Sequence, residues 1–156
     1  MTTIVYNSPY IPPEWLAAHG FRPQWCVPAA RPEDAAPTGA CANAWNFLRA
    51  VAAGAGPAVV ATTCDAMRRM GEIVPTAAPL FLFNLPSTWR TPAARQLYAD
   101  ELRRLGRFLV ECGGTAPDAE RLRATVRRYD AGRRRFGPVL AAGGRAAAEG
   151  LLDHLA

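Results

Sequence analysis

The chain has 156 residues, of which half are apolar and one fifth are charged, as expected of a single globular domain with a sizeable core. No stretch is long or apolar enough to cross a bilayer, and the opening MTTIVYNSPY lacks the basic and apolar parts of a signal peptide, so we expect a cytoplasmic protein with no membrane partner. The formal charge is +5, all 18 basic residues are arginines, and most of the excess lies in the C-terminal half, where the aromatic interleaving expected of a single-strand nucleic-acid binder is missing. This pattern argues against nucleic acid as a partner and favours a solvated helix face, or arginines that hold phosphate groups.

Short apolar runs alternate with helical patterns along the chain. In order, the sequence predicts strand 3–7, helix 11–20, strand 23–27, a proline-rich loop at 28–40, helix 41–54, strand 57–62, a helix with Cys64 in its first turn, strand 79–84, and helices 91–114 and 115–133. The alanine- and glycine-rich tail at 136–156 is expected to end in a short helix. The continuous apolar runs 57–62 and 79–84 are typical of parallel strands that are covered on both faces.

This alternation predicts an α/β fold, with a Rossmann- or flavodoxin-like parallel sheet and helices on both of its faces. Residues 1–90 are expected to form the sheet domain, and residues 91–156 a helical C-terminal extension of the same compact domain. Thr91 is predicted to cap the first helix of the extension, and Thr115 and Asp118 have the spacing of a capping box at the second.

Apolar stripes predict which helix faces are buried. In helix 41–54 the predicted stripe consists of Cys41, Trp45, Leu48 and Ala52. In helix 91–114 it consists of Tyr98, Leu102, Leu105, Leu109 and Cys112. The position of Cys112 on a buried stripe favours a structural role for that thiol.

Two cysteines follow predicted strands, and both are expected at one edge of the sheet. Ligands bind outside the carboxyl ends of parallel strands, where the loops that lead to Cys41 and Cys64 should meet. Each cysteine is also expected in the first turn of a helix, where free N–H groups stabilise a thiolate, the form that ligates metal. The alternative is a structural role, because free cysteine is often simply buried.

Common catalytic signatures are absent from the sequence. The cysteines form no CxxC pair, and the only histidines, His19 and His154, suggest neither a zinc site nor a catalytic triad. There is no G-x-S-x-G, no P-loop and no G-x-G-x-x-G. The residues by themselves therefore do not select one reaction.

A resemblance narrows the function. The segments YIPPEWLAAHGFRP, GACANAWNFLRA, VVATTCDAMRRM, FLFNLPSTW and ADELRRLGRFLVECGGTAPDAERLRATVRRYDAGRR follow one another in the order found in one protein family. The chain resembles, to about residue 135, the N-terminal domain of the 2-hydroxyacyl-CoA dehydratase and benzoyl-CoA reductase family, in particular the 2-hydroxyglutaryl-CoA dehydratase D-component.

This resemblance implies radical chemistry on an acyl-CoA substrate. It implies a [4Fe–4S] cluster with Cys41 and Cys64 as ligands, and an electron delivered by a separate ATP-hydrolysing activator protein. A ketyl radical at the thioester then permits either loss of water, as in a hydro-lyase, or reduction of an aromatic ring. Cys26, in a predicted strand, is a third candidate ligand, although a structural role is equally open for it.

The resemblance also implies partners. Subunits of the family continue into a second domain that supplies a further cysteine, and we expect this domain to be absent here. The surface it would cover should then bind a larger homologous subunit or a second copy of the chain. Three functions stay open: a cluster-bearing dehydratase component, a non-catalytic family member that binds a larger subunit or a small ligand without a cluster, and a flavodoxin-like ligand-binding domain.

Overall fold

The computed structural model describes residues 1–26, 41–54, 56–73 and 78–141. Their elements in chain order are β1 (Thr3–Tyr6), α1 (Pro13–Ala18), β2 (Arg22–Trp25), α2 (Ala42–Ala53), β3 (Ala58–Ala61), α3 (Asp65–Ile73), β4 (Leu80–Phe83), α4 (Pro92–Glu111) and α5 (Ala119–Ala141). The predicted loop 28–40 and the tail beyond residue 141 lie outside the described residues. No helix in the described part is long and apolar enough to cross a membrane.

The four strands form one parallel sheet in the order β2-β1-β3-β4. Thr3 is in register with Arg22, Val5 with Ala58, and Ala58 with Leu80. The predicted parallel pairing of the two apolar runs is confirmed, since β3 and β4 are neighbours in that orientation. Because every strand runs the same way, all four carboxyl ends lie at one edge, called here the carboxyl edge.

Alternate side chains of β1, β3 and β4 contribute to two cores, one on each face of the sheet. The α1/α4 face is built from Ile4, Tyr6, Ile11, Leu16, Phe21, Val59, Ala61, Phe81, Phe83, Leu105 and Leu109. The α2/α3 face is built from Val5, Cys26, Ala44, Phe47, Val51, Ala58, Val60 and Met67. Burial of apolar surface at about 25 cal/mol per Å² drives both layers together, and the predicted α/β class with helices on both faces is confirmed.

The buried face of α2 differs from the predicted stripe. Ala44, Phe47 and Val51 are the residues of α2 that are fully buried, whereas Cys41 is exposed. The predicted stripe of Cys41, Trp45, Leu48 and Ala52 was therefore wrong by about one residue of rotation. Both sets repeat at helical spacing, and contact with the sheet selects the face that carries the Phe47 ring.

The C-terminal helices agree better with the prediction. Thr91 caps α4, where its Oγ1 accepts a hydrogen bond from the N–H of Ala94 at 3.1 Å. At the start of α5, the Asp118 carboxylate accepts from the N–H of Arg121 at 2.7 Å, so Asp118 takes the cap in place of Thr115. The α5 backbone remains helical to Ala141, beyond the predicted end at residue 133, and α5 packs against α1.

Candidate functional site

The segments that leave the four strands meet at the carboxyl edge. Asn7 and Ser8 follow β1, Cys26 follows β2, and two threonines and Cys64 follow β3. Both α2 and α3 begin at this edge, because each connects one parallel strand to the next. The edge is therefore where the structure gathers the residues that the sequence singled out.

Cys41 is the N-cap residue of α2. Its backbone is extended (φ −77°, ψ 157°), and its Sγ accepts a hydrogen bond from the N–H of Ala44 at 3.4 Å. The side chain is exposed. A cysteine thus occupies the position where serine or aspartate usually satisfies a free helix N–H group, one residue before the predicted first turn.

Cys64 takes the equivalent position at α3. It directly precedes Asp65, and its carbonyl accepts the first helical hydrogen bond, from the N–H of Arg68 at 3.0 Å. A tight bend leads into it, in which the N–H of Thr63 donates to the carbonyl of Ala61 at 2.9 Å. This side chain is exposed as well.

The two cysteines precede neighbouring helices on one face of the sheet. α2 and α3 pack against each other and share the α2/α3 core, to which α2 contributes Phe47 and α3 contributes Met67. Both helices point their N-termini, and therefore the positive ends of their dipoles, toward the carboxyl edge. Two exposed thiols thus lie on the same side of the sheet at the same edge.

The other two cysteines are less accessible. Cys26 is buried in the α2/α3 core, and its N–H donates to the carbonyl of Tyr6 at 2.8 Å. Burial raises the pKa of its thiol, which favours the neutral form over the thiolate. Cys112 ends α4 and packs against the α1/α4 core, and there too burial raises the pKa of the thiol, with a smaller effect from Glu111.

Asn7 is a residue of this edge that sequence reasoning missed. It is buried, its Oδ1 accepts from the N–H of Ala61 at 2.8 Å, and its Nδ2 donates to the Sδ of Met67 at 3.2 Å. One amide therefore joins the ends of β1 and β3 to the first turn of α3. The only sequence signal was an asparagine directly after a strand, which is also a common turn residue.

Glu101 holds the segment that follows β4. This carboxylate of α4 is 4% exposed, accepts from the N–H of Asn84 at 3.0 Å, and forms an ion pair with Arg104. Asn84 also receives a hydrogen bond from the Thr62 hydroxyl, whose oxygen lies 3.4 Å from the Asn84 Oδ1. The loops after β3 and β4 are thereby tied together and to α4.

An aromatic group closes the same edge on the α1/α4 face. The rings of Tyr10 and Trp89 stack with centroids 5.6 Å apart, and Tyr98 meets Trp89 edge-on at 5.2 Å. The Tyr98 hydroxyl donates to the carbonyl of Tyr10 at 2.9 Å. Loops distant in sequence are thus fixed to one another, which gives the edge a defined shape.

Chemically, the carboxyl edge offers two accessible sulfur ligands, and its loops are held in place by hydrogen bonds and aromatic contacts. In the described part of the chain, no group of three or more histidine, cysteine, aspartate or glutamate side chains is placed to hold a metal ion. Cys41 and Cys64 therefore form, at most, part of a ligand set within residues 1–26, 41–54, 56–73 and 78–141.

Comparison with known proteins gives one result that covers most of the chain. The family described as 2-hydroxyglutaryl-CoA dehydratase, D-component, matches residues 9–145. This range includes Cys26, Cys41, Cys64 and all elements from α1 to α5. No curated protein matches the chain. On the extent of the family match, the chain belongs to the 2-hydroxyglutaryl-CoA dehydratase D-component family.

Proposed function

We propose that this chain is a cluster-bearing component of a 2-hydroxyacyl-CoA dehydratase-like system, with Cys41 and Cys64 as two ligands of a [4Fe–4S] cluster. One observation carries the proposal: in a chain of this family, two exposed cysteines precede neighbouring helices at the carboxyl edge. The axes of packed helices lie roughly 8–10 Å apart, and α2 and α3 pack against each other. Ligands of one cluster need a sulfur separation of roughly 6–7 Å, since each reaches iron at about 2.3 Å.

The donor chemistry suits such a cluster. Iron–sulfur clusters are held by cysteine thiolates, and both thiols are open to solvent at positive helix ends. The remaining ligands must come from residues outside the described ones or from a partner subunit, because the described residues contain no third ligand at this place. Cys26 stays a candidate for that role, provided that its side chain leaves the core.

When bound, the cluster would supply one-electron chemistry to the thioester of a 2-hydroxyacyl-CoA, from which water is then removed. The residues of this chain would bind and orient. The helix N-termini of α2 and α3 offset the negative charge of the thiolates. Asn7 fixes the first part of α3 to the sheet, and with it the position of Cys64. The electron would come from an ATP-hydrolysing activator protein, and reduction of an aromatic ring is a further chemistry open to the same site.

A second candidate function is favoured by the incomplete ligand set. In this case the chain is a non-catalytic family member that binds a larger subunit or a small ligand without a cluster. The carboxyl edge then serves as a contact surface, and the two thiols have no iron to hold.

Anaerobic reconstitution with iron and sulfide separates the two functions. The chain would be prepared alone and together with a larger homologous subunit, as wild type, Cys41→Ser, Cys64→Ser and, as the matched control, Cys112→Ser. Iron and sulfide content, visible absorption and electron paramagnetic resonance would be measured. We expect Cys41→Ser and Cys64→Ser each to lose the cluster and Cys112→Ser to retain it. Absence of iron uptake in both preparations would reject the cluster and favour the second function.

A further inference from the structure

A concave surface lies beside the amino ends of β1 and β2, at the edge of the sheet opposite Cys41 and Cys64. A groove of about 350 Å³ runs between the end of α1, the start of β2 and the first half of α5. Apolar side chains of Ala17, Phe21 and Pro23 line it on the sheet side, and Arg121 and Arg128 of α5 line it opposite. Its volume falls within the range of small-molecule sites.

The two arginines face the groove together. They are seven residues apart on α5, which is about two helical turns, so they share one side of the helix. The Nη2 of Arg121 lies 3.6 Å from the place where a Cβ of Gly20 would stand, and the Arg128 guanidinium lies over the Tyr129 ring at 5.5 Å. The Gly20 backbone lies beside one guanidinium and the Tyr129 ring beside the other, and neither neighbour carries a compensating negative charge.

No carboxylate neutralises this pair in the described part of the chain. Arg103, Arg104 and Arg133 each form an ion pair there, but neither Arg121 nor Arg128 does, and the described lining of the groove contains no aspartate or glutamate. Glu14, whose charge reaches Tyr129, is engaged by the guanidinium of Arg133 at 2.7 Å. The charge of Arg121 also reaches His19, where it adds to the effect of burial in lowering the imidazole pKa.

We propose that this groove binds the phosphate or diphosphate group of a small anion. The planar guanidinium presents paired N–H donors that match phosphate oxygens, and two of them spaced along α5 suit a diphosphate better than a single phosphate. The apolar side formed by Ala17, Phe21 and Pro23 would contact an organic group attached to it. The site is independent of the proposed cluster, because it lies at the opposite edge of the sheet.

The test uses the full chain and inorganic pyrophosphate at constant ionic strength. Binding would be measured by calorimetry and by the shift of the thermal midpoint, with orthophosphate as the smaller probe. The test variant is Arg121→Gln with Arg128→Gln. The matched control is Arg123→Gln with Arg127→Gln, which removes the same charge from exposed positions of α5 outside the groove. Circular dichroism would verify that each variant is folded.

We expect pyrophosphate to raise the thermal midpoint of the wild type and of the control variant. In the test variant its affinity should fall at least roughly tenfold, as expected for loss of a charge-assisted hydrogen bond. Adenosine diphosphate, measured in the same way, tests whether the apolar side contributes. A higher affinity for adenosine diphosphate than for pyrophosphate indicates that an organic group contacts the apolar side, and equal affinities indicate that only the diphosphate is recognised. Absence of binding to the wild type, or equal loss in both variant pairs, would overturn the proposal.

Discussion

At the scale of single residues, the Asn7 side chain takes the place of a backbone acceptor at the end of the sheet. β1 ends at Tyr6, so the N–H of Ala61 in β3 has no strand carbonyl to accept it, and the Asn7 side chain takes that place at 2.8 Å. The amide is buried, where an unpaired donor is costly. A polar residue therefore completes the hydrogen bonding of the carboxyl edge.

Asn7→Ala should lower the free energy of unfolding by about 1–3 kcal/mol, because the buried N–H of Ala61 loses its acceptor. Met67→Leu is the control: it keeps the side-chain volume, removes only the weak sulfur acceptor, and should cost less than about 1.5 kcal/mol. Urea unfolding measures both. An Asn7→Ala cost no larger than that of Met67→Leu would show that the Ala61 hydrogen bond contributes little.

His19 is expected to make the free energy of unfolding depend on pH. The ring is 2% exposed, and its Nδ1 lies 2.8 Å from the carbonyl of Trp15, which makes this nitrogen the donor of the hydrogen bond. Burial is the main cause that lowers the pKa of His19, and Arg121 lowers it further. The unfolded chain therefore binds a proton more readily than the folded protein.

Stability should consequently fall as the pH drops below about 6.5, the ordinary value of histidine, and this loss should level off below the lowered pKa of the folded state. His19→Gln should show a smaller loss over the same interval, since glutamine does not titrate. Urea midpoints at pH values between about 7.5 and 5 provide the measurement. Parallel pH curves for the two proteins would contradict the role given to His19.

At the scale of elements, local pattern predicted the order and type of structure but not every buried face. The strands were evident because β3 and β4 are short, apolar and each directly preceded by a proline. In α2, two apolar sets at helical spacing compete, and the choice between them depends on contacts with strands that precede and follow the helix. Helix periodicity alone contains no such long-range term, which explains the error.

Substitutions in α2 test which face of the helix is buried against the sheet. Phe47→Ala should cost about 3–5 kcal/mol, because the ring is fully buried against the sheet. Leu48→Ala, from the predicted but half-buried stripe, should cost about 1 kcal/mol. Denaturant unfolding of both variants decides the matter. A larger cost at Leu48 than at Phe47 would restore the original stripe.

The candidate site shows the same division between local and long-range information. Cys41 and Cys64 could be found from sequence because a post-strand cysteine before a helix is a local pattern. Asn7, Glu101 and the stacked Tyr10 could not, because their partners lie 54, 17 and 79 positions away in the chain. Their roles follow only from the parallel sheet, which brings separate loops to one edge.

At the scale of the whole molecule, exposed apolar side chains at both sides of the sheet predict an assembly. Trp25 on β2 is 39% exposed, Leu82 on β4 is 38% exposed, and Ile73 at the end of α3 is exposed as well. In the described part of the chain, β4 pairs only with β3, so its outer edge presents free backbone groups. An unpaired strand edge beside exposed apolar side chains favours contact with another chain.

We therefore expect the chain to form a homodimer or to co-purify with a larger homologous subunit, and Leu82→Lys to weaken that assembly. The added charge would have to be desolvated in the contact, which costs more than the lost apolar area alone. Leu97→Lys, at an exposed leucine of α4 on the other face, is the matched control and should leave the assembly intact. Light scattering coupled to size-exclusion chromatography measures both. A monodisperse monomer at high concentration that also fails to bind the larger subunit would contradict the predicted assembly.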